Sequence, residues 1–154
     1  MSCDVAAAAY LFLASTTGAA PPGAAATSTV ASEPLFADIV GRAGRLKSEV
    51  EAYRKTGGLG ASPSAVPLPG LPRFESEIKA LAALDMQGHV ELAKRGTDGD
   101  LKCILKGISQ DLPLKLSALE QAPTGAAEDN ALRDMAYLLN DNVEVITAPP
   151  APPV

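Results

Sequence analysis

The chain has 154 residues, room for one ordinary domain. Its 47% apolar content leans on Ala, aromatics are only 4% and Trp is absent, so the predicted core is thin. A net charge of −5, with 13 Lys and Arg set among 18 acids, argues against the basic surface that nucleic-acid binding requires.

Residues 1–31 read as an Ala-rich N-terminal arm, disordered or weakly helical. The apolar run at 5–14 is shorter than the roughly 20 residues needed to span a bilayer. It follows Asp4 with no Lys or Arg before it, so a cytoplasmic protein is expected, with export by an atypical N-terminal signal as the alternative. Residues 19–31 hold only Ala, Gly, Pro, Ser and Thr apart from Val30, and such a segment cannot offset its ordering entropy by burial.

The domain is expected over 32–147, opening at Ser32-Glu33-Pro34 as a helix start. A helix over 35–55 places Phe36, Ile39, Ala43, Leu46, Val50 and Tyr53 at alternating spacings of 3 and 4, which is a heptad seam. Gly41 and Gly44 leave a notch beside Ala37 for close approach. A seam of this kind suits a helix of a second chain as well as one of its own, so these six residues are the candidate partner-binding set. Gly57-Gly58 ends the helix. The prolines at 63, 67, 69 and 72 then exclude helix and central strand, giving a Pro-rich loop over 57–72.

Residues 74–95 are again helical, with Phe74, Ile78, Leu81, Met86, Val90 and Ala93 for burial. The period slips between Leu84 and Gly88, which predicts a bend at Gly88 or two short helices with Asp85 capping the second. The most regular apolar face follows: Leu101, Ile104, Leu105, Ile108 and Leu112. Pro113 predicts a boundary after Leu112 and a second Leu-rich piece over 114–121, together a kinked pair. A last helix over about 126–140 carries Leu132, Met135, Ala136 and Leu139. Asn140 to Asn142 read as a turn, and 143–147 alternate as a strand would, extended on the bundle or paired with another chain. The tail 148–154 is polyproline, with two overlapping Pro-x-x-Pro spacings and no basic flank.

Catalytic and metal-binding patterns are missing from the sequence: it has no glycine-rich phosphate loop, no Cys-x-x-Cys and no second histidine. Cys3 and Cys103 lie too far apart to frame a fold, so Cys103 is expected as a free thiol. His89 is expected to be a satisfied or exposed histidine, and Glu75, Glu77, Asp85 and Glu91 to be solvating charges. No cofactor and no metal site is expected.

Cys103-Ile104-Leu105-Lys106-Gly107, with Leu112 five residues past the glycine, is similar to the His-x-Leu-Lys-Gly signature of histidine phosphotransfer domains. The likeness covers about twenty residues. It implies a small helical bundle in which Cys103 stands where the phosphorylated histidine would be, hence a phosphorylation-incompetent relative that binds a partner in signalling.

The expected fold is all-α, a small bundle of about four helices with a kinked Leu-rich pair between disordered ends. The expected function is a non-enzymatic protein–protein interaction or adaptor module. Its partner would be another protein chain, with a homodimer included, and neither nucleic acid nor a membrane span is involved. A small enzyme using His89 with a carboxylate is the rival from a different class.

Overall fold

The computed structural model describes residues 29–56, 70–96 and 99–148. Within them a short 3-10 turn, Thr29–Ser32, precedes four helices: α1 (Pro34–Thr56), α2 (Leu71–Arg95), α3 (Gly99–Glu120) and α4 (Gly125–Thr147). The Pro-rich stretch 57–69, the tail 149–154 and most of the N-terminal arm lie outside the described residues.

The helices run up, down, up and down, as cross-helix bonds show. Glu33 at the start of α1 meets Arg95 at the end of α2 at 2.8 Å, and Glu49 near the end of α1 meets Arg73 at the start of α2 at 2.7 Å. Arg54 bonds Asp129 at 2.7 Å and Lys47 bonds Asn140 at 2.8 Å, which sets α4 antiparallel to α1. Lys115 reaches Asp134 at 3.2 Å between α3 and α4. α2 packs most extensively on α3, and α1 on α4. The diagonals, α1 with α3 and α2 with α4, make no close backbone approach among the described residues. This is an all-α four-helix bundle.

Local chemistry sets the helix ends. Pro34 sits at the first position of α1, where a missing N–H costs nothing. Gly70 (φ 73°) precedes α2 and Gly96 (φ 69°) closes it, both left-handed; the Gly96 N–H caps the Leu92 and Ala93 carbonyls. The Thr124 hydroxyl accepts from the Ala127 N–H at 3.2 Å, capping α4.

Three expectations are corrected. α3 runs unbroken through Pro113. The proline removes the N–H that would bond the Ser109 carbonyl and costs about 3 kcal/mol, but Leu116 and Leu119 beyond it are both buried, at about 1.5–3 kcal/mol each. Packing therefore outweighs the break. The expected turn and strand over 140–147 are the last two turns of α4, because Leu139, Asn142 and Ile146 fall on one helical face and are wholly enclosed. α2 begins at Leu71, so Pro72, expected in the loop, lies in its first turn, where a missing N–H is tolerated; of the two alternatives for the stretch around Gly88, one continuous helix is the one observed. Val30, ahead of Ser32, is also buried against the core.

Gly88, not the Gly41–Gly44 pair, is the point of close approach. A Cβ there would lie 3.1 Å from Leu105 Cδ1 and 3.2 Å from Phe36 Cε1, whereas a Cβ on Gly44 would meet nothing within 4 Å. Ile104 is only partly buried, leaving Leu101, Leu105 and Ile108 to carry the inner face of α3.

Candidate functional site

The α1 seam is the first candidate, and the bundle uses all of it. Phe36, Ile39, Ala43, Leu46, Val50 and Tyr53 are buried at 0–7% exposure within the chain's own core. None of the six is open to a second chain in the folded bundle, because α2 and α4 already cover the seam. Tyr53 marks its end. Its ring meets Phe74 edge-on, with centroids 5.8 Å apart, and its hydroxyl donates to Glu49 Oε1 at 2.6 Å. Burial, then that bond to a carboxylate, raises its pKa to about 12. Arg73 holds Glu49 and Glu77 together, at 2.7 Å each.

A polar pair sits within the apolar core. Asp85 on α2 and Asn142 on α4 are both wholly enclosed, and Asn142 Nδ2 donates to Asp85 Oδ2 at 2.9 Å across the diagonal. Oδ1 of each residue has no hydrogen-bond partner in the structure. Burial pushes the Asp85 carboxyl up from 3.8 to about 8, against the opposing effect of the Asn142 bond. The expected solvating charge is therefore a core residue, and the expected helix cap lies mid-helix.

Two surface concavities among the described residues bear on a site. Between α1 and α2 a polar cleft of ≈270 Å³ is lined by Arg42, Arg45, Leu46, Glu49, Arg73 and Glu77; much of its charge is already paired internally. Between α1 and α4 a shallower groove of ≈430 Å³ is lined by Lys47, Glu51, Arg54, Arg133, Ala136, Tyr137 and Asn140. Tyr137, at 71% exposure, is the most exposed large apolar side chain of the described residues. Arg54 and Lys47 are engaged with Asp129 and Asn140, whereas the nearest acid to Arg133 is its neighbour Asp134, at 3.9 Å.

The remaining reactive residues are placed as follows. His89 is partly buried, with Nδ1 2.7 Å from the Lys102 carbonyl oxygen, so that nitrogen carries the proton and donates. Cys103, in the second turn of α3, is disulfide-bonded and is not the free thiol expected. The chain's other cysteine, Cys3, lies outside the described residues. Spatial approach decides such a bond, and sequence separation does not report it.

Sequence reasoning missed Asp85, Asn142 and Tyr137. The signal for Asp85 was present: Phe74, Ile78, Leu81, Asp85, Gly88 and Leu92 continue one heptad spacing, and these are among the residues α2 buries. Treating Asp and Gly as faults in the apolar period hid it. No helix among the described residues is long and apolar enough to cross a membrane. No protein-family model, no curated protein and no solved structure matches the chain.

Proposed function

We propose that the chain is a non-enzymatic interaction module that docks a partner protein in the groove between α1 and α4. The observation that supports this reading is Tyr137, an aromatic side chain standing in solvent at the edge of a concave surface, with Lys47, Arg54 and Arg133 around it. Tyr and Arg at a groove are the residue types that dominate binding energy in protein interfaces. The fitting partner is a protein segment with one apolar anchor for the groove and a carboxylate for Arg133, whose contact with Asp134 at 3.9 Å is looser than those of Arg54 and Lys47 at 2.7 and 2.8 Å.

Two readings are less well supported. A relative of histidine phosphotransfer domains would use position 103 to meet its partner, and Cys103 is partly buried and bonded. An enzyme built on His89 needs an oriented base, and its Nδ1 is held by a backbone carbonyl in place of a carboxylate.

The test is site-specific photo-crosslinking in the source cell with the reactive group at position 137, and at the exposed Lys79 as control. One defined adduct at 137, weakened by Arg133→Glu, is the expected result. Equal crosslinking at both positions would remove the groove from consideration.

A further inference from the structure

The diagonal pair in the core has an imbalance that one proton corrects. An ionised carboxylate offers only acceptors, and an amide offers one oxygen acceptor beside its NH₂ donors. With Asp85 charged, the single bond from Asn142 Nδ2 to Asp85 Oδ2 leaves Oδ1 of both residues as acceptors with nothing to accept. Neither residue reaches water, since both are fully enclosed. A proton on Asp85 Oδ1 turns that atom into a donor to Asn142 Oδ1, while the existing bond stays in place. The two side chains then close as an acid–amide ring with two hydrogen bonds and no orphaned oxygen. We propose that Asp85 is kept as a neutral carboxylic acid closed on Asn142, and that this ring is a pH-sensitive latch between the diagonal helices α2 and α4. Loss of the proton to water opens it.

The surroundings leave the latch without a competing charge. Gly88, one turn along α2, lies against Phe36, Ile39 and Leu105, and the pairs Glu33–Arg95 and Glu49–Arg73 set α1 level with Asp85 near its Ile39-to-Ala43 turn. The enclosed residues there are apolar; Arg42, on the outer side of that turn, is paired with Asp38 at 2.9 Å. On α3 the same level holds Leu105, Ile108 and Ser109, whose hydroxyl donates to the Lys106 carbonyl at 2.7 Å, with the Lys106 side chain on the partly buried flank. His89 on α2 is turned to Lys102, and Asp141 and Glu144 on α4 face solvent. None of these charges contributes to the displaced titration of Asp85, which follows from burial, opposed only by Asn142.

The sign follows from linkage. The carboxyl titrates near 3.8 in the unfolded chain and near 8 in the fold, so between those values the folded protein holds a proton that the unfolded chain has released. Stability contributed by the closed latch is complete below about pH 4 and falls as pH rises, with the unfolding constant growing about tenfold per pH unit until the folded-state pKa is passed. The other shifted groups act outside that window: Asp129 and Glu33 are held below the carboxylate range by Arg54 and Arg95, and Tyr53 titrates at about 12.

The experiment has two arms on the full chain. The carboxyl ¹³C signal of Asp85, followed by NMR in Asp-labelled protein, is expected to remain that of a protonated acid at pH 6 and to titrate near 8. An ordinary carboxylate midpoint would overturn the proposal. Chemical denaturation from pH 5 to 8 is expected to show the tenfold-per-unit slope in the parent and to lose that component in Asp85→Asn, whose amide reproduces both bonds of the ring without a titrating proton. The parent slope persisting in Asp85→Asn, or an Asp85→Asn chain unable to fold, would each overturn it.

Discussion

α1 and α2 present the same heptad to the same core and fill it differently. α1 buries Phe36, Ile39, Ala43, Leu46, Val50 and Tyr53, while the corresponding face of α2 passes from Phe74, Ile78 and Leu81 to Asp85, Gly88 and Leu92. An all-apolar seam supplies burial without telling its neighbours where to stop. The Asp85 position finds its hydrogen bond only when Asn142 of α4 stands at the same height, and Gly88 admits Phe36 and Leu105 only at one register. A single polar pair in an apolar seam is a recognised register device. On this comparison α1 provides the driving force and α2 the alignment.

The comparison breaks most severely at Leu46→Asp. That change buries a carboxylate in the α1 seam with no Asn142 to receive it, at an expected cost of about 3–5 kcal/mol, a large share of the roughly 5–15 kcal/mol available to a folded domain. Loss of the cooperative thermal transition by circular dichroism is the expected outcome. Asn142→Leu should cost about 2 kcal/mol by stranding Asp85 without its hydrogen bond. Adding Asp85→Leu should restore most of that loss, since removing both partners of a buried polar pair is often neutral; a urea-denaturation double-mutant cycle measures the coupling. If the two changes simply add, the pair aligns nothing.

Gly88→Val should be milder, about 1 kcal/mol or slightly more, because Leu105 Cδ1 and Phe36 Cε1 are side-chain ends that can yield. A melting temperature raised above the parent's would show that the approach at Gly88 is slack. The smallest effect on stability is expected from Tyr137→Ala, within about 0.5 kcal/mol, since that ring lies outside both seams. Its effect belongs on partner binding, and calorimetric melting of the isolated variant separates the two.

The latch at Asp85 and the groove at Tyr137 were legible in the sequence to different degrees. Asp85 lay on a visible heptad, and the apolar period hid it only because Asp and Gly were taken as interruptions. Asn142 was obscured by its neighbours: Asn140, Asp141 and Asn142 in succession resemble a turn, and the β-branched residues at 143, 145, 146 and 147 resemble a strand. Tyr137 carried no sequence signal beyond lying opposite Leu132, Met135 and Leu139 on α4.

By itself the sequence determined the helical class, the core faces of α1 and α3 and the helix start at Pro34. Those features depend on spacing and on φ, both local properties of the chain. The tertiary structure decided the rest: that α3 continues past Pro113, that α4 continues past Asn140, that the α1 seam closes on its own chain, that Cys103 is bonded, and that a carboxyl is enclosed at position 85. Each turns on what lies beyond the local stretch of chain, and a free energy of several kcal/mol from packing outweighs local preferences of about 1–3 kcal/mol.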